Sequence, residues 1–159
     1  MSADREAQDG AAVRLPPPVV PLIALALGVG LQLAWPLALP LGGALRYGGG
    51  ALLIAAGLGL ILAAAGLFRS SGQDPKPWVS TPEIISTGVY RYTRNPMYVA
   101  MGLLQTGIGV ALANGWVVAL VPVSLAVIQW TAIRHEEAYL ERKFGAAYTD
   151  YKASVRRWL

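Results

Sequence analysis

Residues 96–133 read PMYVAMGLLQTGIGVALANGWVVALVPVSLAVIQWTAI, an apolar stretch with no charged side chain and one polar break, Asn114-Gly115. About 20 apolar residues are enough for a helix to cross a bilayer, so each half, about 96–113 and 116–134, is a candidate span. A link of two residues forces the halves into an antiparallel hairpin. The chain therefore leaves this stretch at the depth where it entered. Pro122 predicts a kink in the second half, which would widen a cavity between neighbouring helices. Gly107-Ile108-Gly109 has the form of a cofactor-binding Gly-x-Gly, but in a Gly-rich span it reads as a helix-packing surface.

Composition extends this reading to the whole chain. Of 159 residues, 55% are hydrophobic and 14% charged, and the mean hydropathy is +0.47, which points to one membrane domain. The absence of Cys and the single His, His135, remove disulfides, thiolate nucleophiles and Cys/His metal centres, so no metal is expected. The net charge of +4 reflects Lys and Arg on the cytoplasmic side rather than a nucleic-acid partner. Residues 1–18, polar and then Pro-rich, read as a flexible cytoplasmic tail, and 19–159 as a single membrane domain. A span over about 19–39 is ended by Pro36 and Pro40 near Trp35, which anchors at an interface. The next, about 46–68, carries Ala51, Ala55, Gly59 and Ala63 at intervals of four, a small-residue face. That face suits close packing within one subunit and, as the lesser reading, a homodimer contact.

The polar segment 69–95, broken by Pro75, Pro77 and Pro82, cannot lie in hydrocarbon. With the N- and C-termini cytoplasmic, every one of the 13 Lys and Arg except Arg46 faces the cytosol, as do all 9 acidic residues. The expected fold is all-α: a multi-pass integral membrane protein with about four transmembrane helices and a C-terminal amphipathic interfacial helix. Tyr148, Tyr151, Val155 and Trp158, at spacings of 3, 4 and 3 with Lys152, Arg156 and Arg157 between them, place that last helix on an anionic leaflet. Gly145 is the stop before it.

The cytoplasmic polar groups converge in two places, residues 87–98 and 134–151. Thr87-Gly88-Val89-Tyr90-Arg91-Tyr92-Thr93-Arg94-Asn95-Pro96-Met97-Tyr98 ends in an N-cap, Asn95, with proline at the first helical position. A helix start of this kind suits a small carboxylate. The hairpin returns Glu136 and Glu137 to the same depth, just past the negative end of the fourth span, where a cation is needed: Arg134, Arg91, Arg94, or an ammonium or sulfonium on a ligand. A zwitterionic, amino-acid-like ligand satisfies both ends. Tyr90, Tyr92, Trp78 and Trp116 read as interface anchors before they read as ligand contacts.

These residues resemble a known family. Gly88-Val89-Tyr90-Arg91-Tyr92-Thr93-Arg94-Asn95-Pro96-Met97-Tyr98, followed by Glu136-Glu137-x-x-Leu140-x-x-x-Phe144-Gly145-x-x-Tyr148-x-x-Tyr151, is similar to the isoprenylcysteine carboxyl methyltransferase and phospholipid methyltransferase superfamily over about residues 68–155. The resemblance implies an integral membrane methyltransferase using S-adenosyl-L-methionine at the cytosolic helix ends, with a lipophilic acceptor entering from the bilayer. It implies cofactor contacts from Arg94, Asn95, Pro96, Tyr98, Tyr90 and Glu137. It implies catalytic roles for Glu136, Glu137 and Arg134: a carboxylate to take a proton from an amine or thiol acceptor, or an Arg to hold a carboxylate acceptor. The prenylcysteine branch usually has His where this chain has Asn95, and an amide donates a hydrogen bond but is no base at neutral pH. NADPH-dependent membrane lipid reductases carry a similar Tyr motif, commonly followed by Gly-Glu, whereas Val99-Ala100 follows Tyr98 here. A small four-span transporter is the non-enzymatic alternative, disfavoured because the spans offer neutral polar groups such as Gln32, Gln105 and Gln129 but no ionisable one.

Overall fold

The computed structural model describes residues 10–13 and 15–159; the remainder of the tail expected to be flexible lies outside the described residues. Regular structure among the described residues is helical. Helix α1 is Val19–Ala34, α2 is Ala44–Ser70, α3 is Pro96–Ala111, α4 is Gly115–Phe144 and α5 is Ala146–Ser154, with a 3-10 turn at Gly88–Arg91. By length and composition α2 and α4 can cross a membrane, and α1 and α3 are shorter apolar helices. The residues form two compact units, one of Pro16–Leu60 and Met97–Ile128 and the other of Ile61–Pro96 and Gln129–Leu159 with the described residues up to Leu15.

The first unit is organised around the tight turn between α3 and α4. Helix α1 stops at Ala34, short of the apolar run, because Pro36 cannot continue it. The chain then passes extended beside the turn: Leu39 N–H donates to the Ala113 carbonyl at 3.1 Å and Gly115 N–H to the Leu37 carbonyl at 2.7 Å. Asn114 fastens three pieces. Its Oδ1 accepts from Val117 N–H at 3.1 Å, capping α4, and its Nδ2 donates to the Gly28 carbonyl of α1 at 3.1 Å. Arg46 donates from Nε to the Ala111 carbonyl at 2.8 Å, occupying the electron-rich end of α3.

Helices α2 and α3 meet at glycines. A Cβ on Gly50 would lie 2.9 Å from the Gly107 carbonyl oxygen, and one on Gly107 would lie 2.9 Å from that of Gly50. Gly107 and Gly109 are thus packing residues, as their setting predicted. The small-residue stripe is a correction: Ala51, Ala55, Gly59 and Ala63 are exposed, and the contact with α3 falls instead on the face carrying Gly50 and Gly57. A four-residue repeat drifts around a helix of 3.6 residues per turn, so it does not define a single buried face.

Helix α4 breaks its regular winding at Leu120, just before Pro122, whose ring lacks an N–H and crowds the preceding turn, in keeping with the kink predicted there. It differs from expectation in continuing through a π-helical segment, Gln129–Ile133, to Phe144, well past the expected end of the span at 134. Gly145, at φ 53°, ends it as predicted. The expected amphipathic helix through Trp158 is shorter. Helix α5 stops at Ser154, whose Oγ donates to the Tyr151 carbonyl at 3.0 Å, and Val155 turns extended.

In this second unit the start of the described chain is tied down rather than loose. Ala11 N–H donates to the Pro77 carbonyl at 2.9 Å.

Candidate functional site

The second unit gathers most of the polar residues singled out in the sequence. Segment Thr93–Asn95 leads into α3, Glu136 and Glu137 lie on α4, and the last residues return as an extended strap after α5. The strap holds the segment by its backbone. Arg94 N–H donates to the Arg156 carbonyl at 2.9 Å, while the Arg157 carbonyl accepts from Thr93 Oγ1 at 3.1 Å and from Asn95 Nδ2 at 2.9 Å. Asn95 N–H is taken by Thr93 Oγ1 at 3.1 Å. Asn95 immediately precedes Pro96, the first residue of α3, as its reading as a helix-start residue required.

Glu137 is the electrostatic centre. Its carboxylate faces two guanidiniums: Arg157 grips it with Nε to Oε1 at 2.9 Å and Nη2 to Oε2 at 2.8 Å, and Arg94 Nη1 lies 3.3 Å from Oε1. The side chains of Arg94 and Glu137 are 8% and 10% exposed, and that of Arg157 is 35% exposed. A buried carboxylate persists as an ion only when paired and hydrogen-bonded. The fork of Arg157 supplies both conditions, and the hydrogen bond to Glu137 raises the already high pKa of that guanidinium. The Nε–H of Arg94 has no hydrogen-bond acceptor, and its Nη1 is near Glu137 without hydrogen-bonding alignment. One buried cation therefore has unspent donors.

Aromatic rings close the cluster. Tyr148 is buried, and burial pushes its hydroxyl up to about 12, with the Glu137 charge adding to the effect. Tyr151 donates its hydroxyl to the Tyr90 carbonyl at 2.7 Å, and Tyr90 packs edge-on against Phe68 with centroids 6.0 Å apart. Burial raises the pKa of Tyr90 and Tyr151 above the usual tyrosine value, so all three stay neutral donors across the physiological range. The α5 tyrosines, expected to face a leaflet, turn inward onto this cluster.

Two more expectations are corrected. The acidic pair does not sit past the end of a helix, because α4 runs on to Phe144, and the cations facing Glu137 come from Arg94 and Arg157. Arg134 and Arg91 are exposed, and Arg134 stacks over Trp130 at 4.2 Å from the ring centroid. Glu136, half-buried, is close enough for its charge to raise the Tyr90 pKa. Tyr90 is buried rather than an interface anchor, whereas Tyr92 is exposed. Tyr98 is buried one turn into α3, within the first unit. Pro96 is fully buried. Arg157 was missed as a site residue: its only signal was a place in a tail whose helical spacing set it against an anionic leaflet.

The chain is similar to known proteins over part of its length. The chain is 32% identical over 79 residues to a protein-S-isoprenylcysteine O-methyltransferase of Dictyostelium discoideum, a match covering 45% of this chain and 30% of that protein. It is 40% identical over 63 residues to an uncharacterized protein of Haemophilus influenzae, covering 40% of this chain and 100% of that one. The chain thus spans about 30% of the length of its Dictyostelium relative. A family model described as phospholipid methyltransferase matches residues 45–147, from the start of α2 through the first polar motif and most of the second to the start of α5, and the chain belongs to that family of membrane methyltransferases.

Proposed function

We propose that this protein is a four-span integral membrane enzyme with cytoplasmic termini that transfers a methyl group from S-adenosyl-L-methionine to a lipophilic acceptor arriving from the bilayer. The observation that carries the reading is the buried Arg94–Glu137 pair beside Asn95-Pro96, with an Arg94 Nε–H that finds no acceptor. An unsatisfied buried guanidinium donor fits an anionic ligand group such as an amino-acid carboxylate. Glu136, on the same turn of α4, offers a carboxylate to an ammonium or sulfonium. The two together match a zwitterionic ligand, and the donor set fits this cofactor.

When bound, S-adenosyl-L-methionine supplies an electrophilic methyl group on a sulfonium. The protein's own residues do the rest. Arg94 would hold the carboxylate end, Asn95 and Pro96 fix the start of α3, and Tyr90 would wall the approach. Neutral buried tyrosines exclude water from the centre. Methyl transfer is a displacement that gains most from orientation, for which favourable cases supply about 7 to 11 kcal/mol. For an amine or thiol acceptor the departing proton goes to a carboxylate. Glu136 or Glu137 is the candidate, the second already held by the guanidiniums of Arg157 and Arg94. Arg134, exposed beside Trp130, suits an acceptor's own anionic group at the interface.

Calorimetry on the purified protein with S-adenosylhomocysteine and with NADPH tests the reading. Binding of S-adenosylhomocysteine alone is expected, and binding of NADPH alone overturns the proposal in favour of a reductase. Incubation with labelled cofactor and total membrane lipid then identifies the acceptor class.

A further inference from the structure

Arg157 touches both polar motifs at once. Its carbonyl accepts from Thr93 and Asn95, at 3.1 and 2.9 Å, while its guanidinium spans the two oxygens of Glu137 at 2.9 and 2.8 Å. It is carried on an extended strap that is pinned on either side. The Arg156 carbonyl takes Arg94 N–H at 2.9 Å, and Trp158 Nε1 donates to Gln129 Oε1 at 3.1 Å, inside the π-helical segment of α4. Single π turns inside helices re-aim side chains at functional sites. Here one presents Gln129 to the strap.

We propose that Arg157 is a positioning residue for the cofactor site, setting the spacing between the Arg94-Asn95-Pro96 segment and Glu137. Arg94 alone could not do this. Its Nη1 reaches one oxygen of Glu137 at 3.3 Å without a hydrogen bond, which leaves the carboxylate free to rotate. A planar fork on both oxygens fixes the plane of the carboxylate as well as its place. With Glu137 so held, Arg94 keeps its Nε–H turned to the ligand rather than collapsing onto Glu137. Lys at position 157 would keep the charge but lose the fork.

The role rests on the proposed cofactor, and the experiment separates the two. The full-length protein is purified as wild type, Arg157→Lys and Arg157→Gln, and each is measured for S-adenosylhomocysteine affinity by calorimetry and for melting temperature. Loss of one hydrogen-bonded partner of a buried charge is expected to weaken binding roughly tenfold in Arg157→Gln. Arg157→Lys should fall between it and wild type, and millimolar ethylguanidinium should recover affinity in Arg157→Gln without altering wild type. A merely structural ion pair would lower the melting temperature and leave the affinity of the folded fraction unchanged, which overturns the role. If Arg157→Gln does not fold, wild-type affinity in Arg157→Lys overturns it. A wild type that does not bind S-adenosylhomocysteine overturns the function, and this role with it.

Discussion

Asn114 and Asn95 each stand directly before an apolar helix, α4 and α3, yet their surroundings differ. Asn114 spends its side chain on scaffold: Oδ1 caps α4 through Val117 and Nδ2 ties α1 through the Gly28 carbonyl. The turn around it is closed by neighbouring backbone and by Trp116 Nε1 donating to the Trp35 carbonyl at 2.7 Å. Asn95 gives its amide to a chain terminus, the Arg157 carbonyl, within a cluster that holds a buried carboxylate and an unsatisfied Arg94 donor. Satisfied polar groups in an apolar setting hold a fold together. Ionised groups held at the cost of desolvation, with donors left over, are the mark of a site.

The sharpest way to break this contrast is to remove the carboxylate. Glu137→Ala leaves Arg94, 8% exposed, without its counter-charge, and breaking a buried pair from one side costs roughly 3 to 5 kcal/mol. Denaturant unfolding in detergent should show that loss, and S-adenosylhomocysteine binding should vanish. Retained affinity would mean that Glu137 is scaffold like Asn114. Glu137→Gln should also lower stability, since a neutral amide cannot balance two guanidiniums.

The next comparison sets the two asparagines against each other. Asn114→Ala removes a cap and the tie to the Gly28 carbonyl of α1, at a cost of about 2 kcal/mol, with no change in the affinity of the folded fraction. Asn95→Ala should cost about 1 kcal/mol of stability but weaken S-adenosylhomocysteine roughly fivefold to tenfold. Equal effects on affinity would erase the distinction between the two regions.

What was legible in the sequence follows the same division. Hydropathy and the Asn114-Gly115 link revealed the hairpin because apolar length and a two-residue turn are local properties. Gly145 and Pro36 marked helix ends for the same reason. The juxtaposition of Arg94 and Asn95 with Glu137 was also within reach, since a hairpin returns to its starting depth. Arg157 was out of reach. Helical spacing from Tyr148 to Trp158 assigned it to a helix lying on an anionic leaflet, whereas α5 ends at Ser154 and the strap is held by backbone carbonyls, which carry no side-chain signature. The exposed Ala51-Ala55-Gly59-Ala63 stripe misled in the same way, because periodicity indicates that a face exists but not what covers it.

The smallest expected effect concerns Tyr148. Its hydroxyl, buried beside Glu137, is pushed up to about 12 from an ordinary value near 10, chiefly by desolvation. A group whose folded pKa is raised contributes stability that is complete below the unfolded pKa and is lost as pH climbs through the folded one. Tyr148 should therefore leave the protein's stability untouched below about pH 10 and erode it between roughly pH 10 and 12. Absorbance titration at alkaline pH should show a late tyrosine step that disappears in Tyr148→Phe, and the alkaline fall in melting temperature should become shallower in that variant. The ring still fills the same space, so affinity for S-adenosylhomocysteine at neutral pH should change less than in Asn95→Ala. An ordinary tyrosine transition near 10 for Tyr148 would show that water reaches the cluster around Glu137. The carboxylate would then stand in a solvated pocket, and its ion pairs would contribute far less than buried ones do.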